Sequence, residues 1–148
     1  MGQCQFMPTS FINYAIDFDD DGKKDIWNTV PDVLASAANY LSSTNWNNKE
    51  TWGREVSILS PIDESLITVS ARNVDVSKKL STWSALGVRR LDGSELPKVD
   101  INAYLVYPEG ASGRKYIVYE NFKTILNWNR SLFFGIAVGT LSDLIEYY

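Results

Sequence analysis

The chain has 148 residues, 45% of them hydrophobic and 13% aromatic, which is enough for a packed core and too apolar for a disordered segment. Its net charge of −4, with no basic run, argues against nucleic acid as a main partner. The absence of histidine excludes a His-based triad and a His-ligated zinc site, and the single Cys4 excludes an internal disulfide.

The first segment carries Phe6, Phe11, Ile12 and Ala15 as an apolar face, and Pro8 predicts a helix start because proline suits a first turn. An acidic loop over residues 17–28 follows. Asp17, Asp19 and Asp21 alternate before Gly22, the opening of a calcium loop: alternate carboxylates converge on one concavity, where a hard divalent cation offsets their repulsion. Counted from Asp17, the carbonyl of Lys23 stands at the seventh position and Asp25 at the ninth. Asn28 takes the twelfth, where a standard loop has a bidentate Glu. Asp32 completes the coordination if the next helix start folds back. The ion would be structural, and a solvated acidic turn is the alternative.

Thr29 as N-cap, Pro31 in the first turn and Asp32 at the positive end of the helix dipole predict a helix to about Leu41, with Val33, Leu34, Ala37 and Leu41 as its buried stripe. Tyr40 lies off that stripe and so is free to face a cleft. Residues 46–52 read as a polar loop holding two indoles.

From about Arg54 to Tyr119 the pattern turns extended. Val56–Leu59, Leu66–Val69, Gly87–Leu91, Ile101–Tyr107 and Lys115–Tyr119 read as strands of a small antiparallel lobe. Between them, residues 79–86 form one or two helical turns with Leu80, Trp83 and Leu86 inward. The end is helical again. Phe122, Ile125 and Leu126 recur at helix spacing, Asn127–Arg130 interrupts, and a last helix buries Ile136, Ala137, Leu141, Leu144 and Ile145. The organisation expected is α+β: helical residues 1–53, a β lobe over 54–119, and closing helices 120–148 packing back on the first part.

Several stretches carry a resemblance: Gly2-x-x-Gln5-Phe6-Met7-Pro8-x-Ser10-Phe11, the acidic loop, Asp25-Ile26-Trp27, Ala38-Asn39-Tyr40-Leu41, Asn121-Phe122 and Trp128-Asn129-Arg130-Ser131. Together they resemble the membrane-bound lytic murein transglycosylase B family, whose members cleave the glycan strands of bacterial peptidoglycan. The resemblance covers nearly the whole chain, most specifically at both ends. It implies a partial lysozyme-like helical domain with a β insert. It also implies saccharide contacts from Gln5, whose amide donates to and accepts from sugar hydroxyls, from Tyr40, and from Trp128, Asn129 and Phe134. Where some members carry Tyr this chain has Trp128, and at a nearby position Phe134, which forfeits a hydroxyl to sugar. The cation set is Asp17, Asp19, Asp21, Lys23, Asn28 and Asp32, with calcium as the ion.

The family works with one catalytic Glu, which protonates the glycosidic oxygen and then helps the muramic acid 6-hydroxyl attack C1, giving a 1,6-anhydro product. That Glu lies upstream of the Gly-x-x-Gln-Phe-Met-Pro motif, and only four residues precede Gln5 here. The expectation is therefore the C-terminal portion of a lytic transglycosylase without its acid, inactive alone. The alternatives are a non-catalytic glycan-binding or calcium-stabilised module, or one half of a split enzyme whose N-terminal half is separately encoded. The partner expected is the peptidoglycan strand, and the location is periplasmic or outer-membrane-associated. No signal peptide opens the chain, and no run is long enough to span a membrane.

Overall fold

The computed structural model describes residues 1–146, in two compact units, Met1–Trp46 and Asn47–Tyr148. The segment expected to close the fold runs on to residue 148, so its last two residues lie outside the described ones.

The first unit is helical. Helix α1 spans Pro8–Tyr14 with proline in its first turn, and α2 spans Val30–Ser43 with Thr29 as N-cap. The acidic loop lies between them. The buried line of α2 is Asp32, Ser36 and Tyr40, not the apolar stripe expected: Val33, Ala37 and Leu41 are half-buried and Leu34 is 65% exposed. The cause is the neighbouring irregular backbone, whose N–H groups need acceptors that only polar side chains supply. Ser36 Oγ accepts from the Ile16 N–H at 2.9 Å, and Asp32 serves two further amides. The first segment is also less buried than its pattern suggests. Phe6 and Ala15 are buried, but Ile12 is 73% exposed.

The second unit is built on a six-stranded sheet. Its strands are β1 (Gly53–Ile58), β2 (Ile67–Thr68), β3 (Lys78–Lys79), β4 (Val88–Arg89), β5 (Asn102–Val106) and β6 (Lys115–Val118). The spatial order is β2-β5-β6-β1-β4, with β3 also pairing with β5. Most pairs are antiparallel, with Tyr104 opposite Val118 and Gly53 opposite Val118 setting the central register. The β2–β5 pair is parallel, which corrects the fully antiparallel lobe expected. Strand β5 is central, so Ala103 through Val106 are buried on both faces rather than alternating.

One face of the sheet holds the core. Val56, Val88, Leu105, Ile117 and Tyr119 pack there with Leu80 and Trp83 of helix α3 (Leu80–Ala85). The Trp83 indole N–H is buried and donates to the Ala103 carbonyl at 2.9 Å. Leu86, expected inward, follows the end of α3 and is 37% exposed.

Helix α4 (Glu120–Trp128) buries Phe122, Ile125 and Leu126 as its spacing predicts. Helix α5 (Leu132–Glu146) does not follow the expected stripe. Leu141, Leu144 and Ile145 are each more than half exposed, Ala137 is exposed and Ile136 half-buried, while Leu132, Gly135 and Gly139 face inward. Glycine wins because the backbone lies against aromatic rings. A Cβ at Gly135 would stand 2.6 Å from the Phe122 ring, and one at Gly139 would overlap the Trp52 indole. Among the described residues, no helix is long and apolar enough to cross a membrane.

Candidate functional site

The acidic loop is tied down at both ends by one side chain. Asp32 is fully buried, and its carboxylate accepts the Phe18 N–H on one oxygen and the Asp25 N–H on the other, both at 2.8 Å. The chain reverses inside this span at Asp20 and Gly22, whose φ angles are 59° and 87°. At that reversal the Gly22 N–H donates to Asp17 Oδ2 at 2.9 Å. The result brings Asp17, Asp19 and Asp32 together, with one carboxylate oxygen of each within 4.8 Å of the others.

Two features make this trio fit a cation. Asp17 Oδ1 is enclosed and has no hydrogen-bond donor. Asp19 is pushed above the ordinary carboxylate range, by loss of solvation and then by the negative charges of Asp21, Asp32 and Asp17. A divalent ion relieves both, since it supplies the partner Asp17 lacks and offsets the repulsion. The donor set, all carboxylate oxygen, fits a hard cation such as calcium.

The remaining expected ligands stand differently. Asp21 accepts the Lys23 N–H at 2.8 Å and is not one of the trio, and the Lys23 side chain is exposed. Asn28 turns its amide to the Asp25 carboxylate at 3.1 Å. Asp25, which also accepts the Trp27 and Asn28 N–H groups, is held below the usual range, first by the Asn28 side chain. Asp32 in the following helix thus holds both ends of the loop, while Asn28, its twelfth residue, turns to Asp25.

Of the residues assigned to saccharide, Gln5 is exposed in a left-handed conformation, φ 53°, with its amide N–H donating to the Gly2 carbonyl at 2.8 Å. Tyr40 is nearly buried, 4.9 Å from Tyr14 in an edge-on pair and 5.7 Å from Phe6. Burial raises its hydroxyl pKa, and Tyr14 adds to the effect. Its position follows from the polar line of α2, on which it is the third member. In the second unit, Trp128 is half-buried at the end of α4, Asn129 is exposed, and Phe134 is half-buried in the first turn of α5. Ser131 Oγ accepts from the Phe134 N–H at 3.3 Å and holds that turn.

Three polar side chains hold backbone in ways the sequence reading did not assign, although Asn39 and Asn121 stood in its motifs. Ser36 and Asn39 bind backbone of residues 14–16, the latter through its amide to the Tyr14 carbonyl at 2.9 Å. Asn121, fully buried, accepts the Asn47 N–H and donates to the carbonyls of Asn47 and Glu50. A further polar group surrounds Tyr119, where Glu50 Oε2, Arg54 Nε, Arg90 Nε and the Tyr119 hydroxyl are all enclosed. Burial, the largest influence, raises the Tyr119 pKa, and Arg54 and Arg90 oppose that rise.

The mixed helix-and-sheet fold thus carries an acidic loop folded around a carboxylate trio in its first unit and an aromatic–Asn break between the last helices of its second. The family model for the transglycosylase SLT domain matches residues 1–143, and the chain belongs to that family. Among solved structures it is similar to SltB3 from Pseudomonas aeruginosa, captured with NAG-anhNAM-pentapeptide and with NAG-NAM-pentapeptide. That similarity has 40% identity and a TM-score of 0.88, over 99% of this chain and 38% of that one. It is also similar to the lytic transglycosylase Slt35 of Escherichia coli in complex with calcium, at 25% identity and a TM-score of 0.75, over 99% of this chain and 44% of that one. The membrane-bound lytic murein transglycosylase B of Escherichia coli is 25% identical over 156 residues, 98% of this chain and 37% of that protein. The chain therefore spans less than half the length of these relatives.

Proposed function

We propose that this chain is the C-terminal, glycan-holding and cation-holding portion of a peptidoglycan lytic transglycosylase, acting in the bacterial cell-wall compartment. Its helices would belong to a lysozyme-like domain. Gln5 and Tyr40 of the first unit, and Trp128, Asn129 and Phe134 of the second, are the residues assigned to saccharide. Asparagine and glutamine amides read hydroxyl and acetamido groups, and the aromatic rings offer stacking faces. The observation that carries the reading is the family match over residues 1–143, joined to 40% identity with an enzyme solved holding a glycan–peptide fragment.

Calcium is the ion proposed for Asp17, Asp19 and Asp32, with the outer residues Asp21, Lys23 and Asn28 completing the set. Its contribution would be charge compensation that fixes the loop between α1 and α2. Calcium at a hundredfold excess over its Kd would stabilise the first unit by about 2.7 kcal/mol. Asp17→Asn, which removes the charge on the enclosed oxygen, should abolish the shift. No change in melting on adding calcium to the wild-type chain would defeat the assignment.

The general acid is proposed to lie outside these residues. Glu120 is engaged by the Tyr104 hydroxyl and lies 3.7 Å from Lys123 Nζ, Glu55 pairs with Arg114 at 3.7 Å, and Glu50 Oε1 accepts from Asn47 at 2.9 Å. The test is incubation with purified murein sacculi. Binding without release of 1,6-anhydro products is the expected outcome. Release of such products, lost in Glu120→Gln or Glu50→Gln, would place the acid within this chain.

A second reading, a separately encoded polypeptide supplying the acid, is favoured by apolar side chains left in solvent. Ile12 and Leu34 in one unit and Leu141, Leu144 and Ile145 in the other are each more than half exposed. Co-expression with the N-terminal part of a family member should then restore anhydro-muropeptide release.

A further inference from the structure

Between α1 and the acidic loop the chain runs beside α2 in the opposite direction, and one polar side chain of α2 holds it at each turn. The Asn39 side-chain amide donates to the Tyr14 carbonyl at 2.9 Å, the Ile16 N–H donates to Ser36 Oγ at 2.9 Å, and the Phe18 N–H donates to Asp32 Oδ1 at 2.8 Å. Two residues of extended chain cover about 6.6 Å and one helical turn about 5.4 Å. A segment that leaves α1 extended at Ala15 therefore meets a new rung at every second residue. Each rung satisfies a group that α1 cannot. Tyr14 is the last residue of α1, so its carbonyl has no donor within that helix, and the Ile16 and Phe18 amides lie beyond its end.

The two rungs nearest Tyr40 bear on its ring. Tyr14 stands edge-on to Tyr40 at 4.9 Å, and Phe6 lies 5.7 Å from it. Tyr40 is 8% exposed, so its neighbours fix how the ring lies. Tyr14 also raises the Tyr40 hydroxyl pKa, after the larger effect of burial. Where the Tyr14 ring sits follows from its backbone, and that backbone is held by Asn39 and, two residues on, by Ser36. The Asn39 amide is committed on both sides, since its oxygen accepts the Ser43 hydroxyl at 3.5 Å, and Ser36 is fully buried. We propose that Asn39 and Ser36 are positioning residues: by fixing the end of α1 they place the Tyr14 ring, and through it the orientation in which Tyr40 meets saccharide. This deepens the proposed function and rests on its assignment of Tyr40.

The experiment joins NMR of the full chain, with labelled tyrosine rings, to a titration with chitotetraose. Asn39→Ala is expected to shift the Tyr40 ring resonances and to weaken chitotetraose about fivefold, an ordinary coupling between residues in contact. Asn39→Asp, equal in shape but with no N–H to donate, should do the same. In a Tyr14→Leu background Asn39→Ala should add nothing to either reading, because the intermediary is gone, and Ser36→Ala should depend on Tyr14 in the same way. Unmoved Tyr40 resonances, an unchanged affinity, or a loss of equal size in the Tyr14→Leu background overturns the proposal. If the wild type does not bind chitotetraose, the saccharide reading falls, and the ring resonances of the same variants still decide whether Asn39 and Ser36 place Tyr40.

Discussion

The two units keep their interiors in opposite ways. In Asn47–Tyr148 the core against the sheet is apolar side chain on apolar side chain, with Leu80, Trp83, Leu105 and Ile117 fully excluded from water, and the buried Asn121 lies outside that cluster. In Met1–Trp46 the buried line of the longest helix is Asp32, Ser36 and Tyr40, and two of those three hold backbone amides of the preceding loop. Non-directional burial yields a unit that tolerates small shifts, whereas a few directional bonds make a unit that depends on named atoms. A cation would matter more in the second kind, because the carboxylates that shape the loop also repel each other.

The largest effect that would sharpen this contrast is removal of the core indole. Trp83→Ala should cost about 3–5 kcal/mol, read by urea denaturation, and should unfold the sheet without displacing the amide resonances of the acidic loop. Next is Asp32→Ala, expected to cost about 2–4 kcal/mol because two amides lose a charged acceptor. Hydrogen exchange should speed first at Phe18 and Asp25. If those amides stay protected, the directional account of the small unit is broken. Gly139→Ala should cost about 1–3 kcal/mol by forcing the helix off the Trp52 ring, seen as a lower melting temperature and a changed Trp emission.

The smallest expected effect concerns pH. Asp92 is held below the usual carboxylate range by the Ser94 hydroxyl first and the Ser94 N–H second. A lowered folded pKa contributes stability above the unfolded value, and this is lost as pH falls through the folded one. The stability gap between wild type and Ser94→Ala should therefore close as the solution is acidified below the ordinary Asp range. A gap that widens on acidification would refute it.

Much of this architecture was legible in the chain. Pro8 and Pro31 marked two helix starts, Phe122, Ile125 and Leu126 marked a buried helix face, and the alternating aspartates marked the loop in which the fold brings Asp17 and Asp19, though not Asp21, to Asp32. What misled was the premise that apolar residues choose the inward side. On α2 the inward side faces irregular backbone, which demands acceptors, so Leu34 was turned out. On α5 the inward side faces aromatic planes, which demand the absence of a Cβ, so glycine displaced leucine. The parallel pairing of two-residue β2 had no sequence signal, since it depends on where a non-neighbouring strand lies. In the candidate site, Asp32 was readable as a distant carboxylate.

Gly135 and Gly139 are four residues apart, close to one full turn of helix. They act as two notches on one side of a rod, the first fitted to Phe122 and the second to Trp52, whose indole nitrogen also reaches Asp143 at 3.0 Å. A rod keyed at two heights can neither roll nor creep lengthwise. Inserting or deleting a single residue between the notches would swing one of them about 100° out of phase. Length variation in this helix should therefore be confined to the turn before Leu132 or to the segment beyond Asp143.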